Sequence, residues 1–242
     1  MRSATTFLGS FPWPEWVRQL PSQCAVCRSW PTERLCEACV AQFAQPIARC
    51  TTCALPLHGG AVQCGRCILH PPLLQRCVAA VGYGYPWAGV LAQFKFHGDA
   101  AWASALVRLM RSAPWAEPLL EDAELLIPIP LHPQRLRERG FNQAWELARR
   151  LHPGKAQADW LLRVHAGADQ HTLGRADRLR NLHTAFAPDP LRGRDLQGRR
   201  VLLVDDVMTT GATLHAAAAA LHAAGVARVS ALVLARVDDP YR

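Results

Sequence analysis

Downstream of Cys77 the chain alternates between short apolar runs and longer amphipathic or apolar segments. CVAAVGYGY (77–85), ELLIPIP (124–130), RRVLLVDDV (199–207) and ARVSALVLARV (227–237) are rich in branched and small apolar residues. Their lengths, and the Gly, Pro and charged residues that bound them, predict strands, the last three buried on both faces. WAGVLAQFKFHGD (87–99) and AAWASALVRLMRSA (100–113) predict helices punctuated by Gly98-Asp99. FNQAWELARRL (141–151) predicts a helix with Ala144, Leu147, Ala148 and Leu151 on one face, and TGATLHAAAAALHAAG (210–225) a helix ending at Gly225. Residues 163–195 are polar, Arg-rich and without clear period, and read as a long loop with a short helix. Strands alternating with helices predict a mostly parallel sheet covered on both faces. Ligands of such sheets bind at the carboxyl ends of the strands, where Asp205 and Asp206 fall.

Upstream the organising residue is cysteine. Eight of the nine cysteines form four C-x-x-C pairs, Cys24/Cys27, Cys36/Cys39, Cys50/Cys53 and Cys64/Cys67. Such a pair lets two sulfurs share one tetrahedral metal, and two pairs complete a closed, structural four-cysteine zinc site. Sequential pairing is the simpler assignment, with Cys24, Cys27, Cys36 and Cys39 on one ion and Cys50, Cys53, Cys64 and Cys67 on the other; a cross-braced pairing has the same spacings. A disulfide framework needs an oxidising compartment that nothing in the chain suggests, and an iron–sulfur cluster is the weaker metal alternative. Residues 22–70 are therefore expected to be a small zinc-stapled module, HPPLLQ (70–75) a linker, and 77–242 a second domain in which Cys77 is a buried strand thiol.

Composition narrows the setting. With 242 residues, 50% of them hydrophobic, the chain can bury a core of its own. No apolar run reaches the ~18 residues that a membrane span needs. The N-terminal stretch is interrupted by Pro12 and Pro14 and has no small-residue cleavage site, so a cytoplasmic location is expected. The formal charge is +8, carried almost wholly by arginine. Two zinc ions on eight thiolates would lower it to about +4, which permits contact with nucleic acid without requiring it.

The most informative stretch is VLLVDDVMTTGATL (201–214). Gly211 and its small neighbours let the amides of residues 209–213 converge on a helix N-terminus, an anion cradle of monophosphate size. Thr209, Thr210 and Thr213 add hydroxyl donors around Gly211 and Ala212. A phosphate alone would not favour carboxylates beside it. A sugar phosphate would, because its hydroxyls donate to Asp205 and Asp206, and carboxylates also stabilise positive charge at an anomeric carbon. The plainer alternative is a strand whose aspartates merely cap the next helix.

This stretch resembles the 5-phosphoribosyl-1-pyrophosphate (PRPP) motif of type I phosphoribosyltransferases. Together with the four C-x-x-C pairs, FKFHGD (94–99), IPIPLHPQRLRERGFNQA (127–144) and QHTLGRADRLRNLHTAF (170–186), it resembles the ComF family over nearly the whole chain. The resemblance implies an α/β fold: a type I phosphoribosyltransferase-like, mostly parallel sheet with flanking helices, plus a small N-terminal zinc-binding module with two four-cysteine sites. It implies that Asp205 and Asp206 face the ribose hydroxyls, that residues 209–213 hold the 5-phosphate, and that Arg135 and Arg139 receive a pyrophosphate bridged by Mg2+. Residues 165–181 match a mobile loop that would bring Arg178 and Asn181 to the phosphates, although Ala166, Gly167, Ala168 and Asp169 stand where the family often has a Thr. Lys95 is a further candidate. Plainer readings make Arg135, Arg137 and Arg139 a solvated face, Lys95 a snorkelling helix end and Asn142 a helix cap.

Three functions are compatible with these residues: a PRPP-dependent transferase with an unidentified acceptor, a protein of DNA uptake in natural transformation (competence) that binds single-stranded DNA and other uptake proteins, and a PRPP sensor without catalysis. No residues mark an acceptor pocket. The chain begins MRSATT, so no N-terminal cysteine is expected to hydrolyse glutamine. The favoured reading is a ComF-type protein that binds PRPP and acts in DNA uptake.

Overall fold

The computed structural model describes residues 22–96, 102–164 and 185–238. Four parallel strands form the main sheet in the order β1-β6-β5-β2: β1 (Cys77–Gly82), β2 (Leu125–Pro128), β5 (Arg200–Met208) and β6 (Arg228–Arg236). All four sequence-predicted strands are present. The central pair is apolar on both faces because both are covered. Leu202, Val204, Leu232 and Leu234 face one core, and Val201, Leu203, Ala231 and Val233 the other.

The first core is closed by α3 (Trp87–Phe96), α4 (Trp102–Arg111), α5 (Ala116–Asp122) and α7 (Gln143–Leu151). On α7 the predicted face is the buried one: Ala144, Leu147, Ala148 and Leu151 are at most 3% exposed. Asn142 caps this helix, its Oδ1 accepting from the amides of Ala144 (2.9 Å) and Trp145 (3.4 Å). The second core is closed by α8 (Ala212–Ala223), whose Ala216, Ala217 and Ala218 allow close approach to the sheet.

Two features differ from the sequence expectation. Within the stretch expected to be loop, β4 (Phe186–Pro188) pairs antiparallel with β3 (Leu161–Arg163), and their Leu161 and Phe186 seal the second core. A 3-10 turn spans Gly193–Leu196, and residues 165–184 of the expected loop lie outside the described residues. Residues 133–139 form α6 (Pro133–Arg139), which buries no residue. It is defined by its ends, with Pro133 in the first turn, His132 as cap and Gly140 at φ +77° after it.

The cysteine module is two tandem repeats. In each, a C-x-x-C turn ends in a left-handed non-glycine residue, Arg28 (φ 64°) and Ala54 (φ 56°). The backbone then makes a β-bridge, Ser22 with Thr32 and Arg49 with Pro56. A short helix follows, α1 (Glu37–Phe43) after Cys36 and α2 (Gly65–Leu69) after Cys64. The repeats grip the edge strand β1 from opposite sides. Leu35, with Ala25, Val26, Val40 and Phe43, joins the first core, whereas Ala54 and Cys53 join the second. Trp87 Nε1 donates to Phe43 O (2.9 Å) and Cys77 N to Thr51 O (2.9 Å). Residues 70–75 also lie on the sheet: Leu74 is buried and Gln75 N donates to Val229 O (2.8 Å). Among the described residues no helix is long and apolar enough to cross a membrane.

Candidate functional site

β5 delivers two adjacent carboxylates to the carboxyl end of the sheet. Alternation along the strand separates their side chains. Asp206 is buried and meets Lys95 Nζ at 3.1 Å, from the C-terminal end of α3. Asp205 is half-buried, accepts the Asp206 amide at Oδ1 (2.8 Å) and lies within electrostatic reach of Arg163 on β3. Withdrawal from water, and then the neighbouring Asp206 carboxylate, push the Asp205 carboxyl up to about 8.

The chain turns directly from this pair into α8. Gly211, at φ +84°, is the cap residue; a Cβ there would come within 2.4 Å of Met208 Cε, so both conformation and space favour glycine. Thr210 Oγ1 accepts the Ala212 amide (3.3 Å), and His215 N bonds to Gly211 O (2.9 Å). The first turn of α8 has no acidic residue, which leaves the positive end of the helix uncompensated by its own side chains.

Cations gather at this end of the sheet. Arg139 stacks its guanidinium 5.4 Å from the centroid of the exposed Phe96, next to Lys95, and donates to Gln143 Oε1 (3.0 Å). Arg163 was not singled out from the sequence. Burial, and then the charge of Arg135, lower its pKa while Asp205 acts in the opposite sense, which puts all three within electrostatic reach. Its Nε is buried without a hydrogen-bond partner. The signal available in the sequence was only a cation ending an apolar triplet, LLR. Lys95, Arg139, Arg135, Asp205, Asp206 and the 209–213 turn thus gather around one end of the sheet. Arg178 and Asn181 lie outside the described residues.

A second residue missed from sequence is Arg236, 4% exposed at the end of β6. Its Nε donates to Cys53 O (2.9 Å), and its Nη1 to the carbonyls of Met208 (3.3 Å), Thr209 and Val237.

The cysteines form two groups, Cys24/27/36/39 and Cys50/53/64/67, with sulfurs within 4.8 Å of one another in each. This is the sequential pairing. Amide-to-sulfur bonds, Cys39 N to Cys36 Sγ (3.4 Å) and Cys64 N to Cys50 Sγ (3.3 Å), suit thiolate ligands. Three of these thiols are lowered: hydrogen bonds from Ser29 bring Cys27 to about 6, and backbone amides outweigh burial to bring Cys50 to about 7 and to lower Cys24 as well. The two groups fit a zinc module, the chemistry and the convergence both suiting a closed tetrahedral site. Cys77, 3% exposed on β1, is the expected buried strand thiol, pushed up to about 12 by burial.

Comparison with known proteins agrees with this architecture. Residues 139–241 match the family model for the phosphoribosyl transferase domain. The chain is 32% identical over 235 residues to the DNA utilization protein YhgH of Salmonella typhimurium, covering 90% of this chain and 98% of that one. It is 32% identical to Competence protein F of Haemophilus influenzae, covering 84% and 90% of the two chains. It is 31% identical to Competence protein ComFC of Bacillus subtilis, covering 85% of each. A module of two four-cysteine groups fused to a phosphoribosyl transferase domain, similar to these relatives over most of its length, means that the chain belongs to the ComF family.

Proposed function

We propose that the protein binds PRPP at the carboxyl end of β5 and uses that site in DNA uptake. The observation that carries this reading is the continuity of Asp205, Asp206 and the Gly211-capped turn, with Lys95 paired to Asp206 beside them. The 209–213 amides and hydroxyls receive the 5-phosphate, and Asp205 and Asp206 accept from the ribose hydroxyls. Arg135, Arg139 and Arg163 supply the field that attracts the pyrophosphate. Lys95 neutralises Asp206 until a ligand competes for it. Mg2+, held mainly by pyrophosphate oxygens, would neutralise charge on the leaving group. If transfer occurs, an acceptor nucleophile bonds to the anomeric carbon as the bond to pyrophosphate breaks, and the acceptor loses its proton. Asp205 and Asp206 then stabilise the positive charge developing at that carbon. The two four-cysteine groups hold structural zinc.

Calorimetry with PRPP and Mg2+ tests the pocket. Wild type is expected to bind, and Asp205→Asn/Asp206→Asn to lose about 100-fold or more, since at each position an amide nitrogen that cannot accept replaces a carboxyl oxygen facing the ribose hydroxyls. Absence of binding by wild type would refute the sugar-phosphate reading.

Homology to proteins named for competence and DNA utilization supports the uptake role. Exposed aromatics favour single-stranded DNA as the partner: Phe96 under Arg139 at the carboxyl end of the sheet, and Trp30 on the module. Such surfaces bind by stacking and phosphate contact. The dissociation constant is expected to rise steeply between 50 and 200 mM salt, roughly tenfold or more for a few phosphate contacts. A flat salt dependence would exclude an electrostatic groove.

A further inference from the structure

We propose that Arg236 is a positioning residue that couples the second cysteine site to the 209–213 turn, so that a metal at one and a phosphate at the other bind cooperatively. This rests on the reading of that turn as the phosphate loop. The guanidinium is a strut with two ends. One end holds Cys53 O (2.9 Å), the carbonyl of a residue whose sulfur belongs to the Cys50/53/64/67 group. The other end holds the carbonyls of Met208 and Thr209, where the strand enters the turn. Alongside the strut, the two elements are separated by a cavity of about 150 Å³, with Cys53, Cys64 and Cys67 on one side and Thr210 and His215 on the other. Beside it, Cys53 and Ala54 pack into the core that holds Met208 and Leu214, and the guanidinium is the polar link across the gap.

The charges agree with the geometry. Arg236 is buried, and among the described residues no carboxylate forms an ion pair with it. A buried cation requires a counter-charge. A divalent ion held by four thiolates carries a net −2, and with the carbonyl of Cys53 already bonded to this guanidinium it would supply one. With the metal bound, the knuckle backbone at Cys53 is fixed and Arg236 is held by both charge and carbonyl, which fixes Thr209. Without it, both restraints on that end of the guanidinium weaken. Binding linkage is reciprocal, so PRPP at the turn must hold the metal more tightly by the same factor. The Cys24/27/36/39 group packs on the opposite core, away from Arg236 and the 209–213 turn, which makes it an internal control.

The test uses the full-length, zinc-loaded protein and the variants Arg236→Met and Arg236→Lys. Three quantities are measured: PRPP·Mg2+ affinity by calorimetry, zinc transfer to a chromogenic chelator with and without PRPP, and amide hydrogen exchange over 209–213. In wild type, PRPP should protect one of the two zinc ions, and the other should not respond. Both variants should retain two zinc ions yet bind PRPP about tenfold more weakly, with the protection gone. Lysine should not rescue, because a point charge cannot bridge carbonyls that the planar fork spans. If Arg236→Met weakens folding, Arg236→Lys carries the comparison. Variants that bind PRPP within twofold of wild type, or protect zinc equally, would overturn the coupling while leaving the PRPP reading intact. If wild type itself bound no PRPP, that reading would fail, and exchange over 209–213 would still decide the strut: faster exchange with zinc retained supports it, unchanged exchange overturns it.

Discussion

Replacing Cys50 with serine is expected to destabilise the whole protein, with the metal content falling from two zinc ions to one. Cys50 is fully buried, and its sulfur accepts the Cys64 amide at 3.3 Å. Structural zinc sites bind with an apparent ~10–16 kcal/mol at neutral pH, comparable to the entire ~5–15 kcal/mol stability of a typical domain. In an appended module such a loss could remain local. Here Cys53 and Ala54 pack into the second core, and Thr51 O accepts the Cys77 amide at the start of β1. Unfolding the second repeat therefore uncovers β1 as well. Thermal denaturation should show a fall of more than ~10 °C in Tm, given about 2–4 °C per kcal/mol for a chain of this size. Cys77→Ser is the control, because it alters a buried thiol of the same sheet outside the metal groups. It should keep two zinc ions and cost only ~1–3 kcal/mol from burying a hydroxyl. A Cys50→Ser protein with two ions and an unchanged Tm would refute the second site.

The other large effect is on pH dependence. Burial, followed by the Asp206 carboxylate, raises Asp205 from 3.8 to about 8, so the fold prefers its neutral form. A raised acid contributes stability that is fully present below its unfolded value and is lost as pH rises towards its folded value. The contribution of this carboxyl to wild-type stability should therefore fall progressively between about pH 4 and 8, where it must ionise. Asp205→Asn has nothing to ionise at that position. The Tm of the variant minus that of wild type should widen across this window and level off above about pH 8. The amplitude is on the order of several kcal/mol, or roughly 10 °C. A gap that stays constant across the whole window would contradict the assignment. The same substitution should weaken PRPP binding, a site retained at a cost in stability.

These expectations draw on different levels of information. The four strands of the parallel sheet and the buried face of α7 were legible because local apolar periodicity reports burial directly. The opening of the site was legible for a related reason: Asp205, Asp206 and Gly211 are close in the chain, and one strand-to-helix turn suffices to bring them together. Helix α6 escaped because it buries no residue and so leaves no apolar period. The β3–β4 hairpin escaped because each strand has only three residues and its partner lies beyond a long polar stretch.

The amino-acid sequence by itself determined the four strands of the main sheet, the eight metal-competent sulfurs and the juxtaposition of carboxylates with an anion cradle. Tertiary structure alone decided which cysteine pairs share a site, that the repeats clasp β1 from both faces, and which distant cations reach the carboxylates and the turn. Lys95 meets Asp206, and Arg236 joins Cys53 to Thr209, each across a long stretch of chain. Such pairings have no local period. They exist only because burial of the two cores brings these backbones together, and a buried charge or carbonyl must then find whatever partner the fold has placed beside it.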